Sequence, residues 1–165
     1  MNPDRPYIAL LFTTFPKISE TFLQRDVAAL QAKGLRLKLF SLWGGGGEFN
    51  GLPVQNFPKW RLIWVFVAII PWNCVLRPRV VRDLFEGVLT RGAPSWLNFW
   101  ENMLGAGFAG SYARQLSKHP PALVHCAWAG APATAGWLFW RMFGWPYSTG
   151  AHAYDIYEHG GDWWL

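Results

Sequence analysis

The sequence predicts an α/β fold: a doubly wound, mainly parallel sheet with helices on both faces, in one domain spanning residues 1–165. Three observations carry that reading. Residues 7–12 form an uninterrupted apolar run, the pattern of a strand covered by helices on both sides. A helical stretch and a second strand follow within about 35 residues, which makes one βαβ unit of the Rossmann-like kind. Two further short strands, at residues 122–126 and 147–149, each come after a helical stretch.

Taken in order, residues 7–12 are the first strand and residues 13–18 a loop punctuated by Pro16. Ser19 is placed to cap the next helix, and Glu20 adds favourable charge to its first turn. Phe22, Leu23, Val27 and Leu30 recur at helical spacing, and Gly34 closes the helix. Leu35, Leu37 and Leu39 alternate with Arg36 and Lys38, which reads as a half-exposed strand over residues 35–40. Gly44, Gly45, Gly46 and Gly47 break the pattern and open a long, flexible loop. Bare backbone N–H groups there can cradle a phosphate, but neither GxGxxG spacing nor a following Lys-Ser/Thr accompanies them.

Residues 59–91 read as helical, divided by Pro71 and Pro78, and Pro78 suits a first helical turn. Val80, Val81, Leu84, Phe85 and Val88 make one apolar face. A long helix is expected from its Ser95 cap to Lys118, although Gly105, Gly107 and Gly110 weaken it. Pro120 and Pro121 end it. After the strand at 122–126, Pro132 opens a helix that runs to Phe143 and that Gly144 closes. The loop at 150–157 follows the last strand, and a further helix is expected from Asp162.

Charged residues make up 15% of the chain against about 25% in typical domains, while 52% are hydrophobic. So few charges imply that some apolar area faces something other than water. The formal net charge is +5. The basic residues are scattered rather than clustered, so no nucleic-acid partner is expected. Basic residues beside tryptophan fit an anionic bilayer surface better. Trp60, Arg61, Trp64 and Trp72 flank a short apolar segment, with Lys59, Arg77 and Arg79 close by. Three readings stay open for it: a helix lying in the membrane interface, a core helix, or a surface covered by another domain. The apolar run at 62–71 is too short to span a bilayer, which takes about 20 residues. No secretory signal is read at the start of the chain. Cys74 and Cys126 form no CxxC pair; one disulfide stays open, and a reducing cytoplasm is the simpler reading. Cysteines and histidines lack metal-ligand spacing, so no metal is expected.

Ligands of open α/β sheets bind outside the carboxyl ends of the strands. Three groups fall there. The loop from Thr13 through Lys17 to Ser19 ends at a helix N-terminus, a natural anion site. His125 and Cys126 end a strand, where a core role competes with a ligand contact. His152 and Asp155 directly follow the last strand. A carboxylate beside an imidazole would fix its tautomer and raise its basicity; a histidine capping a turn is the alternative.

The stretch Phe15-Pro16-Lys17-Ile18-Ser19-Glu20-Thr21-Phe22-Leu23-Gln24-Arg25-Asp26 resembles the opening signature of family 4 retaining glycosyltransferases, in the branch that builds bacterial exopolysaccharides. Val124-His125-Cys126-Ala127-Trp128-Ala129-Gly130-Ala131-Pro132-Ala133 is similar to the family's His-Ala-His-Phe segment. Gly144-Trp145-Pro146-Tyr147-Ser148 and Ala151-His152-Ala153-Tyr154-Asp155-Ile156-Tyr157 are similar to its Gly-x-Pro strand and His-Ala-x-Asp loop. The stretches occur in the family's order.

The resemblance implies the amino-terminal, acceptor-side half of a GT-B fold, in which two Rossmann-like domains face each other across a cleft. It implies that His152 faces the transferred sugar as the catalytic candidate, and that Lys17, Ser19, Glu20, Thr21, His125 and Asp155 contact the acceptor. The acceptor would be a lipid-linked sugar or a polysaccharide at the inner face of the cytoplasmic membrane. The nucleotide-sugar donor would bind mainly to a second domain, and no other cofactor is implied. Two departures matter: Ala127 stands where the family has a second histidine, and Gly150 where a threonine is usual. The donor domain's Arg, Lys and Glu-x7-Glu pair do not occur in these 165 residues, so negligible transfer by this chain alone is expected. The rival reading is a non-catalytic membrane-surface or partner-binding module on the same fold.

Overall fold

The computed structural model describes residues 6–90, 95–152 and 155. Its strands are β1 (Ile8–Phe15), β2 (Leu37–Gly45), β3 (Gly47–Phe49), β4 (Leu52–Asn56), β5 (Leu123–Cys126) and β6 (Tyr147–Thr149). They form one sheet in the order β3-β4-β2-β1-β5-β6. All neighbours run parallel except β3 and β4. The helices are α1 (Thr21–Ala32), α2 (Leu62–Trp64), α3 (Ile70–Leu76), α4 (Pro78–Thr90), α5 (Trp96–Ser117) and α6 (Ala131–Phe143). The expected α/β architecture is therefore present, with the four expected strands parallel. The helix expected from Asp162 lies outside the described residues.

Strand alternation sorts the apolar run of β1 onto two faces. Leu10 and Phe12 pack with Leu23 and Val27 of α1. Ala9 and Leu11 face the opposite layer, built from α4, α5 and α6. The second strand departs from its half-exposed reading. Leu37 and Leu39 face α1 while Phe40 and Leu42 face α5, and all four are buried. Leu35 and Arg36 precede the strand instead of belonging to it.

The glycine segment is also corrected. Gly44 and Gly45 continue β2, and Gly47 begins a hairpin, so no long loop opens there. A side chain at Gly45 would collide with the Phe15 carbonyl, and one at Gly46 with the Asn56 amide. Glycine is required there by close approach. The hairpin turns at Asn50 and Gly51, with φ of 49° and 77°. Both residues thus sit in the positive-φ region that tight two-residue turns demand and that Asn-Gly supplies. That dipeptide was the available signal for β3 and β4.

Two helix readings change. Ser19 does not cap α1; it is exposed, and Glu20 occupies the cap position without a side-chain bond. The turn closed by the Glu20 N–H on the Lys17 carbonyl (2.9 Å) shifts the helix start by one residue. Pro71 does not divide the following segment either. The helix Lys59–Leu76 is continuous, and its backbone widens to a π-helical turn at Val65–Ile69 immediately before the proline. Widening there relieves the clash and the missing N–H that proline brings to a helix interior. With 18 residues, this helix is long and apolar enough to cross a membrane by length and composition, contrary to the shorter apolar run read from the sequence.

The Ser95 cap, the proline start of α4 and the left-handed Gly144 closing α6 agree with expectation. The glycines of α5 are contact points: Gly105 meets Ala131 and Thr134 of α6, and Gly107 meets Val65.

Cys74 is exposed and Cys126 is fully buried, and both are free thiols, which closes the disulfide alternative. Burial pushes the Cys126 thiol up to about 12 from 9.0, against the pull of the Gly136 N–H and the Thr149 hydroxyl. A thiol-labelling reagent at about pH 8 should therefore titrate Cys74 rapidly and Cys126 only on unfolding. The same shift has a thermodynamic sign. The unfolded thiol ionises first, so the Cys126 contribution is intact below pH 9.0 and is lost as pH rises towards about 12. Urea midpoints should fall across that window, and less so in Cys126→Ser.

Candidate functional site

The chain leaves β1 through a cis Phe15–Pro16 peptide bond and forms one wall of a cleft of about 320 Å³. Thr13 and Thr14 end β1, so the loop expected from residue 13 begins only after Phe15; Lys17 and Glu20 come from the connection, Trp128 and Gly130 from the segment after β5, and Asp155 from the segment after β6. All three segments follow the carboxyl ends of parallel strands, as the fold requires of a ligand site. Glu101, on the first turns of α5, closes the remaining side.

The cleft is acidic. Lys17 Nζ lies 2.7 Å from Glu20 Oε1, which leaves the carboxylates of Glu101 and Asp155 beside this pair. The Lys17 side chain is half exposed, whereas that of Glu20 is only 14% exposed. The second Glu20 oxygen, Oε2, is buried without a hydrogen-bond partner among the described residues. A buried carboxylate oxygen in this state costs about 1–3 kcal/mol until a donor reaches it. Glu20 at the cap position makes no side-chain bond to the first N–H groups of α1, but its carboxylate beside them argues against the anion site read there.

His152 and Asp155 are associated, but not as expected. Asp155 Oδ2 accepts from the backbone N–H of His152 at 3.0 Å, so the carboxylate anchors the main chain rather than the imidazole. The imidazole packs edge-on against Phe22 (4.9 Å) and Trp128 (4.8 Å). It does not line the cleft itself; it touches Trp128, which does. The residues between the pair lie outside the described ones.

The remaining sequence candidates separate. Lys17, Glu20 and Asp155 line the cleft, while Ser19 and Thr21 are exposed and do not. His125 points to the α1 side of β5, into a different groove with Asp26, Leu30 and Lys33, because side chains alternate along a strand. Its Nδ1 is 2.8 Å from Ser148 Oγ. Burial holds its pKa below the usual histidine value, partly offset by Asp26. Cys126 faces α6 in the core, and Ala127 is buried against the α1 layer. Thr13 and Thr14 belong to the candidate segment read at residues 13–19, although they end β1 and are not loop residues; Glu101 and Trp128 were not singled out as site residues. Thr13 and Thr14 carried a signal, since they directly follow the apolar run of β1. Glu101 carried none, because its place depends on how α5 packs on α6.

The fold and the site define an α/β protein with a mainly parallel, Rossmann-like sheet and an acidic cleft at its carboxyl edge. Comparison with known proteins finds no significant match to a family model, a curated protein or a solved structure.

Proposed function

We infer that this chain is the acceptor-side half of a retaining glycosyltransferase that uses a nucleotide-sugar donor, and that its cleft receives the acceptor sugar. The observation that carries the reading is the make-up of the cleft: three carboxylates, one ammonium and an indole wall at the carboxyl ends of parallel strands. Ionised carboxylates accept strong, charge-assisted hydrogen bonds from hydroxyl groups. An indole covers the apolar C–H face of a sugar ring while its edge stays polar.

The same carboxylates repel a phosphate-bearing group. The donor's pyrophosphate is therefore held elsewhere, in line with the two-domain arrangement that the sequence resemblance implies. In this reading His152, fixed by Asp155 through its backbone, packs against Trp128. Facing the transferred sugar is the role the resemblance assigns to it.

Saturation-transfer NMR of the chain with a panel of free mono- and oligosaccharides tests the proposal. Saccharide binding is expected, with Glu20→Gln lowering affinity about tenfold or more through one lost charge-assisted bond. Trp128→Ala should remove the transfer to sugar-ring protons. Absence of any saccharide signal from the folded chain rejects the reading, as does a nucleotide sugar that binds in the cleft and is lost in Lys17→Met.

A further inference from the structure

The helix Lys59–Leu76 buries a narrow stripe and presents the rest. Val65 is fully buried and Leu62 and Ile70 are partly buried against the α5 layer. On the other side, Trp60, Ile63, Trp64, Val67, Trp72 and Val75 are each 50–77% exposed. The positions 60, 63, 64 and 67 follow helical spacing, so these side chains form one continuous face.

A second element extends it. Trp96, Leu97 and Trp100, at the start of α5, are also exposed, and the Trp100 ring lies 5.9 Å from that of Phe66. Residues some thirty positions apart in sequence thus share one apolar, tryptophan-rich surface, of the kind that marks an interaction site in a protein with so few charges. The segment that carries the helix is basic. Between Glu48 and Asp83 there is no acidic residue, while Lys59, Arg61, Arg77, Arg79 and Arg82 occur. The Lys59 ammonium sits 4.4 Å over the ring of exposed Trp43, and the Arg61 guanidinium 5.7 Å from that of Trp60.

We propose that this surface docks on an anionic lipid bilayer, with the helix lying in the interface. Tryptophan favours the headgroup level, and basic side chains favour anionic headgroups. A second copy of the chain is the poorer occupant, because two such faces would bring like charges together. Spanning is excluded by packing. The helix is held against α5 through Val65 and Gly107, and α5 belongs to the core of the domain. It cannot cross a bilayer without leaving that core.

Co-sedimentation with vesicles tests the docking. The folded chain should bind vesicles of phosphatidylcholine mixed with phosphatidylglycerol, and bind pure phosphatidylcholine weakly. Arg61→Gln and Arg79→Gln should each weaken binding roughly fivefold, and added salt should weaken it further. Trp64→Ser combined with Trp72→Ser and Trp96→Ser should abolish it while circular dichroism stays unchanged, since all three side chains are exposed. Failure of the folded chain to bind anionic vesicles at low salt overturns the proposal. So does binding that survives the triple variant, or a dimer in solution that the triple variant dissociates. Glu20→Gln, which tests the cleft, should leave vesicle binding intact, so the two readings fail independently.

Discussion

Truncating Phe108 to alanine is expected to lower the free energy of unfolding by about 3–5 kcal/mol. The Phe108 ring is fully buried at the centre of the layer opposite α1. It stacks on Tyr112 one turn along α5 (4.6 Å) and meets Phe40 of β2 edge-on (5.5 Å). Phe57, in the connection after β4, and Phe139 of α6 each approach it at 6.2 Å. Removing the ring deletes contacts with the sheet, α6 and the approach to the Lys59–Leu76 helix at once. Partners on β2, on α6 and in the connection after β4 cannot all collapse into the space. Total stability of a domain is about 5–15 kcal/mol, so the loss should be plain in urea or thermal unfolding. A change below about 1 kcal/mol would mean that the aromatic cluster is not packed as described.

Gly105→Val is the second large effect, and it works by the opposite mechanism. A side chain at position 105 would collide with the Ala131 carbonyl oxygen and come within 2.8 Å of Thr134 Cβ. The obstacle is backbone and a fully buried residue, so it cannot swing aside. Overpacking costs about 1–3 kcal/mol, occasionally more, and this site belongs at the upper end. Gly105→Ala supplies a test of sign. In an open helix that change stabilises by about 1 kcal/mol; here it should destabilise, because α5 and α6 must separate to admit even one carbon. A gain in thermal midpoint for Gly105→Ala would show that the two helices are not in this close contact.

The parallel sheet was legible because its signal is local. Continuous apolar runs, a helix at regular spacing and glycine or proline at the element ends describe β1, α1, β5, α6 and β6 without reference to the rest of the chain. The hairpin after β2 was legible in principle through Asn50-Gly51, but four glycines ahead of it read as a break. The real constraint at Gly45 is contact with Phe15, thirty residues earlier, and at Gly46 contact with Asn56 across the hairpin.

The cleft divides the same way. Composition and strand order indicated where a ligand site would lie, and Lys17, Glu20 and Asp155 do meet there. That Glu20 keeps a buried oxygen without a partner among the described residues, that Asp155 holds a backbone N–H and not the imidazole, and that His125 faces another groove are all matters of side-chain direction. Periodicity fixes which face a residue is on, not what waits across from it. Glu101 joins the cleft, and Trp96 and Trp100 join Phe66, because α5 is placed by its glycine contacts with α6 and the Lys59–Leu76 helix. By itself the sequence determined the class of fold and the basic, tryptophan-rich character of one segment. Tertiary packing decided which side of that segment is buried, because only the closeness of two helices at Gly107 selects the stripe that leaves water.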